Sequence, residues 1–146
     1  MIVRLEEIAT QKEIEVIIKC AKMDETVERL ETLLRSASKS VCCHSEDRML
    51  WVSALDIYYI ESVEKRSFVY GEKMVYRTEL RLYQLLEELG AYGFVQVSKS
   101  CILNIRMLHS IRPLLNSRME ATLSNGERIY VTRKFIPAIK NKLLER

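Results

Sequence analysis

The 146-residue sequence is 48% hydrophobic and 29% charged, with four glycines and two prolines. This composition indicates one globular domain with a short appendage, and it excludes a disordered or low-complexity chain. No apolar run approaches the roughly 18 residues of a membrane span, and charges scattered through the first twenty residues exclude a signal peptide, so a cytoplasmic protein is predicted.

Charge is distributed unevenly along the chain. Residues 1–98 carry 13 basic and 17 acidic residues, whereas residues 99–146 carry 10 basic and 3 acidic residues. A basic final third on an otherwise near-neutral domain indicates a surface for a polyanion such as a nucleic acid. Charge alone leaves open an ordinary solvated face, because exposed runs of charge are common.

The four cysteines have no spacing typical of a disulfide framework and are predicted to be free thiols. Cys42, Cys43 and His44 have the composition of a metal-binding triplet. Zinc ligands usually stand two to four residues apart, and a tetrahedral site needs a fourth ligand. No metal or other cofactor is therefore predicted.

The first 45 residues are predicted to form a small β–α unit. Met1–Ile8 is a candidate strand, and Glu13–Ala21 alternates apolar and charged residues with the period of a strand. Asp24 is a natural N-cap for a helix that ends near Ala37, and Ser36–Ser40 is predicted to be a linker. The apolar stripe of this helix consists of Val27, Leu30, Leu33 and Leu34.

From about Arg48 onward the pattern is rich in strands. A helix is predicted over Glu79–Leu89, with Thr78 as its cap and Gly90 in the left-handed position after it. A strand that contains Pro113 is expected at a sheet edge, because proline cannot donate to a strand ladder. The predicted strands are Met49–Ser53, Asp56–Ser62, Ser67–Tyr70, Lys73–Arg77, Phe94–Val97, Leu108–Leu114, Met119–Ser124 and Arg128–Thr132.

The Asn-Gly sequence at positions 125–126 predicts a tight hairpin between the last two strands. A two-residue turn would place the apolar residues of the two strands on opposite faces. An odd-numbered loop with Gly126 in the left-handed conformation instead pairs Ala121 with Ile129 and unites the apolar face. We predict the odd-numbered loop.

The last segment, Lys134–Arg146, is predicted to be a helix with Pro137 in its first turn, where proline is well tolerated. Its apolar residues would face the body of the protein. These residues are Ile136, Ile139 and Leu143, with Leu144 at the margin.

Catalysis has little support in the sequence. Neither His44 nor His109 stands in a known spacing with a nucleophile and an orienting acid, and the chain has no glycine-rich phosphate loop or metalloprotease motif. A helix-turn-helix is not predicted either, because the helix over Glu79–Leu89 ends in acidic residues and has no partner helix one turn away. A non-enzyme that binds its partner without a recognition helix is therefore predicted.

Basic and polar side chains stand instead at the ends of predicted strands. Loops held by a rigid sheet are suitable for reaching into a groove of a nucleic acid. The candidates are Lys65, Arg66 and Ser67 at a hairpin tip, Lys99 and Arg106 on either side of Asn104, and Arg133 and Lys134 between the last strand and the last helix.

Residues from about Arg48 to Leu144 resemble a LytTR DNA-binding domain, which is attached to many bacterial response regulators. The resemblance covers about two-thirds of the chain, and the matching stretches follow the order and spacing of the family. These stretches are Asp56–Ser62, Phe94–Asn104, Leu108–Pro113, Arg118–Gly126 and Ile129–Arg133.

The resemblance implies an α+β fold that is mainly β, with elongated antiparallel sheets and flanking helices. It also implies loops that enter successive major grooves of direct-repeat sites and bend the duplex. Arg133 and Asn104 would then contact bases, since Arg bonds guanine and Asn bonds adenine bidentately. A third base contact falls at Arg66 or Ser67. Phosphate contacts are expected from Lys65, Lys99, Arg106 and Lys134.

Each candidate also has a structural interpretation. Arg133 is positioned to pair with Glu120 across the sheet at the start of the last helix, and Asn104 is suitable for capping a turn. Cys101 is predicted to be a core residue; redox sensing is conceivable there, but buried thiols are usually inert.

The family's usual arrangement places a receiver domain of roughly 120 residues upstream, and 45 residues are too few for one. The chain is therefore predicted to be a response-regulator-like, one-component protein with an extension at 1–45 and a DNA-binding domain at 46–146. Similar stand-alone members are often paired with a small membrane protein that restrains them. The extension is thus expected to serve in dimerisation or partner docking.

These observations predict a sequence-specific transcriptional regulator that binds double-stranded DNA as a homodimer on direct repeats. The alternative is an RNA- or protein-binding adaptor module that uses the sheet as a platform. RNA-binding sheets usually display exposed aromatic residues, whereas most aromatics here fall at alternate, core-like positions of strands.

Overall fold

Two antiparallel sheets and three helices make up residues 1–144, which are the residues that the computed structural model describes. The helices are α1 Glu25–Ala37, α2 Leu82–Leu89 and α3 Ile136–Leu144. The strands are β1 Ser40–Ser45, β2 Arg48–Ser53, β3 Tyr59–Val63, β4 Arg66–Tyr70, β5 Val75–Thr78, β6 Phe94–Ser98, β7 Cys101–Asn104, β8 Leu108–Pro113, β9 Met119–Leu123 and β10 Arg128–Val131.

The larger sheet has seven strands in the order β2-β1-β5-β4-β3-β7-β6, and the smaller has three in the order β10-β9-β8. All strand pairs are antiparallel, which confirms the predicted α+β class with mainly β structure. None of the helices in the described part is long and apolar enough to cross a bilayer.

Strands β3, β6 and β7 of the seven-stranded sheet are covered on both faces. On one face α2 buries Leu85 and Leu89 against Ile60, Val69 and Ile102. On the other face the small sheet and α3 form a second core. This second core includes Tyr59, Val97, Leu103, Leu123, Val131 and Ile139. Alternate residues of β3, β6 and β7 therefore enter opposite cores, which holds the ends of these strands rigidly.

The predicted hairpin register is confirmed. Ala121 lies opposite Ile129, the Leu123 N–H donates to the Glu127 carbonyl at 2.8 Å, and Gly126 has a φ of 89°. The left-handed glycine closes the odd-numbered loop at little steric cost. Pro113 ends β8, an edge strand, as predicted.

The helices differ from expectation mainly at their ends. In α1, the Asp24 carboxylate accepts a hydrogen bond from the Val27 N–H at 2.9 Å, which confirms the predicted cap. Helix α2 begins three residues later than predicted, because Thr78 belongs to β5 and its hydroxyl donates to the Cys42 carbonyl. Gly90 is right-handed and continues into a short 3₁₀ turn, so the left-handed position falls to Gly93.

Helix α3 follows a 3₁₀ turn over Arg133–Phe135, and Pro137 lies in its first turn as predicted. Ile139 is completely buried, whereas Leu144 is exposed. The last two residues of the predicted helix, positions 145 and 146, lie outside the described residues.

The structure corrects the prediction for the first 45 residues. Residues 1–23 form no strand, and both predicted strands lie exposed without a neighbouring strand to supply hydrogen bonds. The predicted linker ends in β1, which pairs with β2 and β5 and buries Val41 and Cys43 in the first core. The boundary predicted between residues 45 and 46 therefore falls in the turn of the β1–β2 hairpin.

Candidate nucleic-acid interface

Three chain turns meet at one end of the seven-stranded sheet. They are the β3–β4 turn, the β6–β7 turn and the segment after β10. The Ser62 N–H donates to the Ser100 carbonyl at 2.7 Å, which joins the first two turns. The Thr132 N–H donates to the Val97 carbonyl at 3.0 Å, which ties the third segment to β6. Residues far apart in the sequence thus form one continuous edge.

This edge is strongly basic and exposed. Neighbouring strands lie about 4.8 Å apart, so the centres of the β3–β4 and β6–β7 turns are separated by about 10 Å. Glu64 is the one carboxylate among residues 63–66, 98–101 and 132–135. We call the edge the cationic rim; its residues are Lys65, Arg66, Arg81, Lys99, Arg133 and Lys134, all of them exposed.

The β3–β4 turn carries backbone strain at its tip. Val63 pairs with Arg66, and the two residues between them, Glu64 and Lys65, have φ values of 51° and 67°. Two left-handed central residues define a type I′ turn, which matches the twist of a hairpin but favours Asn and Gly. Non-glycine residues in this conformation cost free energy, and such strain is often found at functional sites.

Arg133 lies in the 3₁₀ turn between β10 and α3, where its side chain is exposed. The turn is fixed by the Phe135 N–H, which donates to the Thr132 carbonyl at 2.9 Å. The alternative ion pair with Glu120 does not form, since that carboxylate accepts from the Arg112 Nε at 2.9 Å. The Arg133 guanidinium therefore extends into solvent from a rigid turn of the backbone.

Asn104 lies at the opposite end of β7 from the cationic rim and is completely buried. Its amide Nδ2 donates to the Ile57 carbonyl at 2.8 Å, and its Oδ1 accepts from the Arg106 N–H at 3.1 Å. It caps the 3₁₀ turn over Ile105–Met107, which is the structural interpretation left open by the sequence. Asn104 has no surface that a base can reach in this conformation.

Two further candidates are not exposed at the rim. Ser67 is 2% exposed, because its side chain lies on the buried face of β4. Arg106 is half-buried beside Asn104, and its guanidinium donates to the Ala54 carbonyl at 3.4 Å. Burial lowers the pKa of Arg106, and the nearby Asp56 carboxylate opposes that shift. The rim therefore contains Arg66, but not Ser67 or Arg106.

The family comparison agrees with the fold. Residues 47–144 match the family model of the LytTr DNA-binding domain. The chain belongs to the LytTr DNA-binding domain family. A solved LytTr DNA-binding domain, described as part of a methyl-accepting/DNA response regulator from Bacillus cereus, superimposes with a TM-score of 0.67. The two share 22% identity over 71% of this chain and 95% of that one, which supports the fold.

Relatives of the chain include longer proteins and one of similar length. A protein named sensory transduction protein LytT from Enterococcus faecalis is 28% identical over 73% of this chain. The chain spans 44% of that relative and 40% of a Bacillus cereus protein of the same name. A protein named as an uncharacterized HTH-type transcriptional regulator from Staphylococcus aureus is 22% identical over 92% of both chains.

Arg81 is a residue of the LytTr domain that the sequence analysis missed. It precedes α2, and its guanidinium Nη1 donates to the Lys65 carbonyl at 3.1 Å, sixteen residues away. The contact holds the strained β3–β4 turn against the start of α2. The sequence around Arg81 gives little indication of this role, because Arg81 reaches the rim only through the pairing of β4 with β5.

The buried and partly buried cysteines, Cys42, Cys43 and Cys101, do not form a functional site. Cys101 is buried in the second core, and burial raises its pKa to about 12, so it stays a protonated and poorly nucleophilic thiol. Cys42 and Cys43 are adjacent in β1 and therefore point to opposite faces of the sheet. They cannot jointly ligate one ion there.

Lys65→Gly is expected to stabilise the LytTr domain while weakening its binding to DNA. Glycine adopts the left-handed conformation freely, so the free energy of unfolding should rise by about 0.5–1 kcal/mol. The same change removes a cation from the rim. Urea unfolding and fluorescence anisotropy with a labelled duplex would measure the two effects.

Lys73→Gly is the matched control, because Lys73 is an exposed lysine in the β4–β5 turn at the far end of β4. It has no positive φ, so glycine should not stabilise the protein there. A Lys65→Gly variant with unchanged DNA affinity would exclude this lysine from the interface.

Proposed function

We propose that the chain is a sequence-specific, DNA-binding transcriptional regulator whose cationic rim enters the major groove. The convergence of three turns at one exposed, basic edge of a rigid sheet carries the proposal. Cations at such an edge neutralise the charge of the DNA phosphates and release counterions from the duplex. The relative named as an HTH-type transcriptional regulator supports a role in transcription.

The dimensions of the rim suit the major groove. That groove is about 12 Å wide and admits a two-stranded β-ribbon. The tips of the β3–β4 and β6–β7 hairpins are ribbons of this kind, and they lie about 10 Å apart. Their side chains can therefore reach base edges without an inserted helix.

The exposed side chains divide by chemistry into two groups. Arg133 and Arg66 carry the planar guanidinium that bonds guanine bidentately, so they are proposed to contact bases. Lys65, Lys99 and Lys134 are proposed to contact phosphates as flexible point charges. The base contacts predicted for Asn104 and Ser67 stay predictions, and their burial means that this interface does not depend on them.

We further propose that two copies bind direct repeats and that the protein acts in the cytoplasm without enzymatic activity. The family resemblance supports the first and the last of these points. A small membrane protein that restrains the regulator is a further proposed partner of the chain. Binding of detergent-solubilised candidate partners to the full chain would test that role.

Among the described residues, the packing of Tyr59 and Tyr70 does not favour the alternative of an RNA-binding sheet. Strands β3, β6 and β7 of the large sheet are covered on both faces, and Tyr59 and Tyr70 stack on each other at 4.2 Å between the two layers. Such rings are not free to stack on unpaired bases.

Selection from a randomised duplex pool, followed by sequencing, tests the proposal. We expect a repeated, spaced motif and affinity for that motif well above the affinity for random DNA. Recovery of no motif, or preference for single-stranded RNA over any duplex, would contradict it.

Lys99→Ala is expected to weaken binding to the selected site and to random DNA by the same factor. A lost phosphate contact should also reduce the slope of log affinity against log salt concentration by about 1. Affinities measured by anisotropy over a salt series give both quantities. Lys73→Ala removes an equal charge away from the rim and should leave the slope nearly unchanged.

A further inference from the structure

One edge of the seven-stranded sheet is left open. Strand β6, at the other edge, is covered by Thr132 and by α3. Strand β2 has no partner on its outer side among residues 1–144, and Trp51 at its centre is 65% exposed. Arg48 at the start of the strand is its one charged residue, and the rest of the strand has no proline, lysine or other charge of the kind that commonly protects an edge from pairing. The edge of β2 is thus available for another strand.

A groove of about 390 Å³ runs beside this edge. It lies between β2 and the β4–β5 turn. Its apolar lining includes Leu50, Trp51, Leu55, Met74, Tyr76 and Met107. A strand added to β2 would place alternate side chains in this groove, as in other cases of β-augmentation.

The chain also contains a strand sequence without a partner. Residues 13–18 alternate in strand fashion, with Ile14, Val16 and Ile18 on one side. Ile14 is 97% exposed, and the segment is in no sheet. A single strand cannot satisfy its own backbone groups or bury its side chains, so this sequence is suited to pairing with an existing sheet.

We propose that residues 13–21 of a second copy of this chain pair with β2, in a reciprocal exchange that forms a homodimer. Each copy supplies one segment and one open edge, so a two-fold arrangement fills both edges and closes without forming a filament. No residue of the cationic rim takes part. The proposal therefore goes beyond DNA binding, and its failure would leave the proposed function intact.

The segment and the edge both expose apolar surface that pairing would bury. Ile14, Val16 and Ile18 are 97%, 57% and 36% exposed on one side of the segment, and Trp51 is 65% exposed on β2. A specific interface typically buries about 800 Å² on each partner, so in a reciprocal exchange both segments and both edges contribute to one interface.

Within one chain the segment is tied to the far end of α1. This helix has 13 residues and is about 20 Å long. Its other end leads into β1, which lies next to β2. The hydrogen bond from the Ala54 N–H to the Lys39 carbonyl joins the end of β2 to the start of β1. To pair with its own β2, the segment would have to fold back along the whole helix, whereas a second copy can approach directly.

The test uses the full chain without DNA, because Trp51 is the one tryptophan in the sequence and reports on its own edge. Sedimentation equilibrium over a micromolar concentration series should show a dimer. Trp51 emission should move to shorter wavelength as the dimer forms. Val16→Pro should raise the dimer dissociation constant at least tenfold, since proline cannot donate to a strand ladder.

Two more variants complete the test. Trp51→Lys places a charge on an exposed edge position and should also weaken the dimer at least tenfold by sedimentation. Val3→Pro alters an exposed, β-branched residue outside the pairing segment and should have no effect. A monomer at all concentrations, or a dimer that resists both edge and segment variants, would overturn the proposal. So would Trp51 emission that responds to Val16→Pro independently of protein concentration, since that shows pairing within one chain.

Discussion

Arg133→Ala should weaken binding to the selected duplex by about 1–3 kcal/mol of binding free energy and should relax the base preference at one position. Arg133 is exposed, and the backbone before it is held to β6 by the hydrogen bond between Thr132 and Val97. A guanidinium whose backbone is fixed in this way can bond two atoms of a guanine at little entropic cost. Alanine removes both bonds.

Two measurements check this result. Anisotropy titrations give the affinities for the selected and random duplexes, and a repeated selection with the variant gives its base preference. Arg128→Ala is the control, because Arg128 is exposed at the opposite end of β10. A variant at position 133 that selects the same motif with the same affinity as the natural protein would remove this residue from the interface.

Asn104→Ala should lower the free energy of unfolding by about 2–4 kcal/mol, because it leaves buried backbone groups of Ile57 and Arg106 without their partner. The base preference of the folded variant should stay unchanged. Asn104 ends β7, and the strand begins at Cys101 beside the β6–β7 turn, so about 10 Å of extended chain separates Asn104 from the rim and its loss does not reach the rim directly. This outcome separates a capping role from a base contact.

Urea unfolding followed by circular dichroism measures the stability, and DNA selection at low temperature measures the preference. Asn141→Ala, an exposed change in α3, should alter the stability by less than about 0.5 kcal/mol. If Asn104→Ala kept its stability but lost preference at one base, Asn104 would be a base-contacting residue as the family resemblance predicts.

Much of the fold was predictable where local chemistry is decisive. The Asn-Gly sequence and the alternation around it specified both the β9–β10 hairpin and its register. Asp24 specified the start of α1. Strand β1 was missed because its sequence mixes polar and apolar residues; it is formed by pairing with β2 and, at His44, with β5, some thirty residues away. The strand pattern of residues 13–21 was detected, but one copy of the chain offers it no partner.

The candidate site was predictable in its residue types but not in its arrangement. Lys65, Lys99 and Arg133 were identified at strand ends, yet it is the pairing of β3 with β7 and the hydrogen bond from Thr132 to Val97 that bring them to the same edge. Asn104 was placed in a loop because β7 was not recognised as a strand. Once β7 has formed, Lys99 lies just before one end of the strand and Asn104 lies at the other end.

The most direct test of the account is a map of backbone amide chemical shifts as the selected duplex is added to the full chain. The account predicts the largest changes at residues 64–66, 98–100 and 132–134, in the three turns of the cationic rim. Largest changes along the exposed face of α2 or in the β8–β9 turn, with the rim unaffected, would contradict it.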